Sequence, residues 1–290
     1  MTVMPIFSLT GIHPYQNIDV LLATKHKKDQ AICPSFSKVF NANIIVPEDF
    51  DTDKYGTFSG EAPREDYPDK VVFTKAEEAA LRYDFDYVIA SEGSFGSHHT
   101  IPFCALNCEY ICFIDRKRKI SVLESEVTIN TNFEHLDINS TTNYELYLKR
   151  IKFPSHSVLV RCPEDNCILA KGINNIHKLN VLIKAAFKKY GILTLETDMR
   201  AMMNPTRMKV ISKLSEKLVQ RLQQYCPSCY VPGFGKVTYK DFLLCKLCRS
   251  ETSFYRFKVL NCIKCDYYQI CSREDGLEEV DPQYCLSCNP

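Results

Sequence analysis

Nine of the fifteen cysteines lie after residue 225, and eight of those form four Cys-x-x-Cys pairs. The pairs are Cys226/Cys229, Cys245/Cys248, Cys262/Cys265 and Cys285/Cys288. A Cys-x-x-Cys turn presents two thiolates from one tight loop, and a tetrahedral zinc takes two such turns. Eight thiolates therefore make two closed sites with no position left for water, which is structural zinc binding rather than zinc catalysis. The chain shows no export signal, so the cysteines read as metal ligands and not as disulfides. Sequential pairing would give two zinc ribbons in a row. Pairing first with third and second with fourth would give a cross-braced module. The sequential order is the expectation adopted here. Cys271 is left over, and Cys162 and Cys167 are too far apart for a standard knuckle.

A second chemistry is suggested by glycine. The chain has ten glycines in 290 residues, roughly half the usual share of about 7%. Four of the ten fall between Gly56 and Gly96, in the stretches DTDKYGTFSGE (51–61) and SEGSFG (91–96). Glycine lets backbone amides approach a phosphate closely. Gly56, Gly60, Gly93, Thr57 and Ser94 would supply those amides and hydroxyls. Thr24, Lys28, Lys75 and Arg64 would complete a phosphate-binding set, with a helix starting near Thr24 adding its dipole. Asp51 and Asp53 share one face if the chain is extended. Magnesium typically takes one or two carboxylates and completes its shell with water and phosphate. Asp51, Asp53 and Glu92 are thus the candidate catalytic residues. Asp198, Arg200 and Arg207 would join them if that segment lies on the same rim, the alternative being an ion pair with Asp198. Neither loop matches the phosphate loop of nucleotide triphosphatases or the dinucleotide fingerprint, and each alone can be read as a turn.

These residues need elements to position them. Asp19–Ala23 reads as a buried strand, and Thr24 as the cap of a helix start over 25–29. Asn43–Val46, Asp86–Ala90, Glu109–Ile114, Val127–Ile129, Val158–Val160 and Ile192–Leu195 read as further strands. Both glycine stretches follow a predicted strand. Thr74–Tyr83 is rich in helix formers, and Asn175–Tyr190 is a helix closed by Gly191. Strands alternating with helices predict an α/β fold: a layered domain over 1–203, with helices around a mixed or mostly parallel sheet. In such sheets ligands bind outside the carboxyl ends of the strands. A basic amphipathic helix over 204–225 would connect this domain to a small zinc-ribbon-like module over 226–290. Its apolar stripe is Met208, Ile211, Leu214, Leu218 and Leu222, and its basic stripe Lys209, Lys213, Lys217 and Arg221.

Composition excludes some functions. The net charge is +1, so nothing global points to nucleic acid or an acidic membrane. The segment from Cys226 to Pro290 carries eight Lys/Arg against eight Asp/Glu, and four-thiolate zinc sites add further negative charge. That is the wrong sign for a reader of phosphate backbones, leaving nucleic-acid contact open only through the basic helix. A protein partner for the zinc module is the simpler expectation. No run approaches the roughly 20 apolar residues of a membrane span, and the start lacks a signal peptide. The expected location is cytoplasmic.

Two resemblances follow from the motifs. DTDKYGTFSGE with Arg64, ASEGSFGSH (90–98), Asp198–Ala201 with Asn204–Met208, CPSCYVPGFG (226–235) and the closing DPQYCLSCNP (281–290) together resemble a bacterial family of unknown function with a cysteine-rich C-terminal block. That resemblance spans nearly the whole chain and implies no activity. Ala23-Thr24, Lys28, Gly56-Thr57-Phe58, Lys75-Ala76 and an acidic glycine loop are locally similar to the inosine-triphosphatase-like nucleotide pyrophosphatases. That resemblance implies magnesium-dependent cleavage of nucleoside triphosphates, with Thr24, Lys28 and Lys75 on phosphates and Glu92 serving metal or water. The chain departs from the family by the seventeen residues between Thr57 and Lys75 and by one acid where the family has two. The expectation is a magnesium-dependent hydrolase or transferase acting on a nucleotide or other phosphorylated small molecule. The alternative is a ligand-sensing or adaptor protein whose zinc module contacts protein or RNA.

Overall fold

The computed structural model describes residues 11–56, 66–97 and 104–290. The chain divides into two compact units. One comprises Tyr15–Lys117 and Leu123–Leu218. The other comprises Val219–Pro290, Arg118–Val122 and Met1–Pro14, the last described from Gly11.

The first unit is built on β1 (Asp19–Ala23), α1 (Asp29–Phe40), β2 (Asn43–Ile45), α2 (Pro68–Tyr83), β3 (Tyr87–Ser97), β4 (Ala105–Asp115) and β5 (Ile120–Thr128) from Leu123 onward. The strands lie in the order β2-β1-β3-β4-β5. β1 runs parallel to β2 and β3, while β3 and β4 are antiparallel, so the sheet is mixed. Within β1 the run Val20–Ala23 is continuously apolar because both faces of the strand are covered. Leu21 and Ala23 share a core with Val72, Ala76, Ala79 and Ala80 of α2 and with Val88, Ala90, Cys112 and Ile114. The alanines let the helix lie close to the strands. Val20 and Leu22 are fully buried on the opposite face. There α1 buries Ala31, Ile32, Phe36 and Phe40 at helical spacing. Phe36 stacks on Phe113 of β4 at 6.1 Å. Truncating a buried aromatic such as Phe113 to alanine costs about 3–5 kcal/mol.

Two local features depart from the sequence reading. α1 begins at Asp29 with Lys28 as its N-cap, so Thr24 caps no helix. Residues 24–28 form a turn instead, with Lys27 at φ +53°, which swings Lys28 inward. SEGSFG is not a loop. β3 continues through it, paired one-to-one with β4, with Glu92 opposite Tyr110, Gly93 opposite Glu109 and Ser94 opposite Cys108.

The same unit contains β6 (His135–Ile138), α3 (Glu145–Arg150), β7 (Val158–Arg161), β8 (Ile168–Ile173), α4 (Ile176–Tyr190), β9 (Leu193–Thr197) and the start of α5 (Pro205–Leu222). A second sheet, β6-β9-β7-β8, is antiparallel throughout. Its core joins Val158, Val160, Leu193 and Leu195 to Tyr147, Leu179 and Ile183. Asn175 caps α4 by accepting from the Lys178 N–H at 3.0 Å, and Gly191 ends it at φ +70°. On α5, Ile211, Leu214, Leu218 and Leu222 are buried, and the Ser215 hydroxyl donates to the Ile32 carbonyl of α1 at 3.1 Å. The basic stripe is uneven. Lys209, Lys213 and Lys217 are exposed, whereas Arg221 is buried and donates to the Gly233 carbonyl at 3.2 Å.

The second unit carries β10 (Lys236–Leu244), β11 (Glu251–Asn261) and β12 (Tyr268–Ser272), a three-stranded antiparallel meander. Gly233 turns the chain at φ +95°, and a Cβ there would stand 2.7 Å from Val122.

Candidate functional site

The cysteines meet in two groups: Cys226, Cys229, Cys262 and Cys265, and Cys245, Cys248, Cys285 and Cys288. Within each group all sulfurs lie within 4.8 Å of one another. Zinc–sulfur bonds of about 2.3 Å at tetrahedral angles put sulfurs about 3.8 Å apart. The observed separations fit: Cys226–Cys265 is 3.7 Å, Cys229–Cys262 3.6 Å, Cys245–Cys288 3.8 Å and Cys248–Cys285 3.6 Å. Each group can thus hold one metal ion with no ligand position to spare. The pairing is first with third and second with fourth, which corrects the sequential expectation. The reason is the meander. The first pair precedes β10 and the third follows β11, so antiparallel pairing of those strands returns the chain to its start. The second pair sits in the turn between them, at the other end of the hairpin, where it meets the fourth pair. There Val280 bridges Cys245.

In the first unit a small cleft opens across the carboxyl end of β1, where β1 stops at Ala23 and β3 runs on. Of the residues expected to form a site, it brings together Thr24, Lys28, Asp53, Gly56, Lys75 and Glu92. They come from the turn after β1, the turn after β2, the inner face of α2 and β3, so the parallel pairing of β1 with both neighbours makes them converge. Thr24 is 4% exposed, and its Oγ1 is buried without a hydrogen-bond partner among the described residues. Lys28 is buried, and its Nζ donates to the Ser91 carbonyl at 3.2 Å and to Ser91 Oγ at 3.1 Å. Lys75 forms a buried ion pair with Glu92. At the mouth, Lys25 donates to Asp51 Oδ1 at 2.9 Å and Asp53 Oδ2 at 2.8 Å. His26 Nε2 stands 3.4 Å from Asp53 Oδ1.

The electrostatics follow from burial. Desolvation pushes the Lys28 ammonium down to about 7, helped by the charges of Arg207 and Lys75 and opposed by Glu109 and Glu92. Desolvation likewise pushes His26 down to about 4 against the pull of Asp53. The hydrogen bond from Lys25 holds Asp51 below the usual carboxylate range, and the bonds to Asp53 and Asp51 raise Lys25.

Other expected site residues lie elsewhere. Asp51 is 60% exposed at the outer edge, facing Lys25 rather than the cleft interior. Gly93 does not face a ligand. A Cβ there would lie 2.4 Å from Arg207 Nη2 and 2.6 Å from the Glu109 carboxylate, so this glycine makes room for a fully buried ion pair, Arg207 Nε to Glu109 Oε1 at 2.6 Å. Ser94 lies further along β3, beyond the cleft. Thr57, Gly60 and Arg64 lie outside the described residues. The expected trio of Asp198, Arg200 and Arg207 divides: Arg200 Nε pairs with Asp198 at 3.0 Å, while Arg207 takes Glu109. Sequence reasoning missed Ser91, His26 and the pairing of Arg207 with Glu109 rather than with Asp198. For the last a signal existed. Arg207 falls four residues before Ile211, on the buried stripe of α5, and Glu109 opens an otherwise apolar strand.

A family model described as a domain of unknown function (DUF6671) matches residues 75–290, and the chain belongs to that family. The match includes Lys75, Glu92, Glu109, Arg207 and all eight paired cysteines, while Thr24, Lys28 and Asp53 precede it. No curated protein matches the chain, and no match carries the similarity to the inosine-triphosphatase-like pyrophosphatases. No helix among the described residues is long and apolar enough to cross a membrane.

Proposed function

We propose that the cleft binds a phosphorylated small molecule and acts on it as a hydrolase or transferase, with the two cysteine groups serving as structural zinc sites. The observation that carries this reading is the buried, unpartnered Thr24 hydroxyl in a cleft that also holds two buried lysines. A buried hydroxyl left unpaired costs about 1–3 kcal/mol, and a phosphate oxygen would satisfy it. Lys28 and Lys75 supply positive charge, the start of α1 its dipole, and Gly56 a backbone that can come close. Asp53 and Glu92 are the carboxylates on the cleft wall. Each now faces a lysine, and each would hold a magnesium ion when that lysine turns to phosphate. The ion would supply charge neutralisation and an activated water.

Product release from a panel of nucleoside triphosphates and sugar phosphates with magnesium tests the proposal, run beside Asp53→Asn. Phosphate or pyrophosphate release that disappears in the variant is the expected result. No turnover above the variant's background for any panel member removes the catalytic form of the reading. One observation favours a second reading, an adaptor whose cysteine module contacts a protein. Tyr239 and Tyr268 of the meander are more than half exposed, and Tyr239 stacks on Tyr255 at 4.3 Å. An adaptor would keep its partner in Asp53→Asn.

A further inference from the structure

Two lysines are buried among the described residues, and they are held differently. Lys75 faces a carboxylate, Glu92. Lys28 reaches the neutral carbonyl and hydroxyl of Ser91, and the hydroxyl of Thr24 nearby has no partner. The charged groups around Lys28 come from every element packed against it. Lys75 projects from α2, Glu92 from β3, Glu109 from β4 and Arg207 from α5, with His26 and Asp53 nearer the mouth. Both buried carboxylates are already engaged, Glu92 by Lys75 and Glu109 by Arg207. With Lys28 neutral, the buried charges cancel. With Lys28 protonated, one positive charge is left for which the described residues of the cleft offer no carboxylate contact.

We infer that the cleft takes up its oxyanion together with a proton, and that Lys28 is where the proton goes. This rests on the reading of the cleft as a phosphate-class site and adds how the site is charged. The amine of Lys28 gains a proton from solvent, and the resulting ammonium and the Thr24 hydroxyl both donate to the tetrahedral anion. No bond is broken. Because desolvation already holds the empty-cleft amine near 7, the anion shifts its proton affinity upward, so binding is strongest below that pH and is lost as pH rises. If the bound state is always protonated, affinity falls about 50-fold between pH 7 and pH 9.

Calorimetric titration of the full chain with sulfate tests this, because the charge of sulfate is constant across the range. Inorganic phosphate is run for comparison. Two buffers of different ionisation heat report the protons taken up: about half a proton per sulfate at pH 7, rising towards one by pH 9. Lys28→Met is expected to weaken sulfate by about tenfold or more at pH 7 and to flatten the pH profile. Thr24→Val is expected to weaken it by about fivefold with the slope retained. Sulfate that binds with no proton uptake and no pH slope overturns the inference and leaves the phosphate site standing. So does Lys28→Met binding as wild type does. If neither sulfate nor phosphate binds at millimolar concentration, the phosphate site falls and the inference with it. The wild-type proton count decides the matter even if Lys28→Met does not fold.

Discussion

The cysteine module and the strand-end cleft both gather groups that are distant in the chain, but they differ in what holds those groups together. Cys226 and Cys265 are brought to 3.7 Å from two short motifs whose spacing already names a metal. Thr24, Lys28, Asp53, Lys75 and Glu92 share no motif. They arrive from the turn after β1, the turn after β2, the inner face of α2 and the middle of β3, and only the parallel pairing of β1 with β2 and β3 brings them together. In the module, side-chain chemistry announces the site and the topology only chooses partners. In the cleft, the topology makes the site and the chemistry is read afterwards. The burial pattern differs accordingly. The cleft floor depends on buried charges that compensate one another, whereas each cysteine group is arranged so that it can hold an ion.

The largest expected effect breaks the module. Structural zinc contributes apparent binding energies of about 10–16 kcal/mol at neutral pH, so a strong chelator should abolish the β10–β12 signals while the first unit keeps its fold, as followed by amide-resolved NMR. The pairing itself is testable by metal counting. Cys226→Ser with Cys262→Ser should lose one metal of two, and Cys226→Ser with Cys245→Ser should lose both. Sequential pairing would reverse those counts. A smaller but still large effect tests the charges beneath the cleft. Arg207→Met leaves Glu109 buried and unpaired, at a cost of about 3–5 kcal/mol in urea unfolding. Adding Glu109→Gln should recover part of that loss, because the stranded charge is gone. The smallest effect sharpens the border between cleft and surface. Asp51 is exposed and its partner Lys25 nearly half so, so Asp51→Asn should change stability by no more than about 0.5 kcal/mol. A larger loss would mean that the mouth is part of the folded framework rather than a solvated rim.

Much of the first unit was legible because its signals are local. Val20–Ala23 is apolar enough to be a covered strand wherever it sits, and Gly191 closes α4 at a positive φ that other residues resist. The short strands β6 and β8 were not legible. They are mixed in character and are held by sheet neighbours rather than by their own pattern. SEGSFG reads as a loop by composition, and its strand conformation comes from β4 pairing with it residue by residue. Gly93 shows the same limit at a single position. Its conservation of space serves Arg207 and Glu109, two residues remote from it in sequence on different elements.

By itself, then, the sequence determined that eight cysteines could close two metal sites and that an α/β layer would precede them. These are consequences of residue chemistry and of periods of two and three to four residues, which act over short stretches. The tertiary structure alone decided that cysteine pair one joins pair three, that Lys28 lies buried beside Ser91 while Lys25 stays outside with Asp51 and Asp53, and that Gly93 serves packing. Each of those outcomes depends on which strands become neighbours and in which direction they run, and that is settled by burial summed over the whole unit rather than by any one segment.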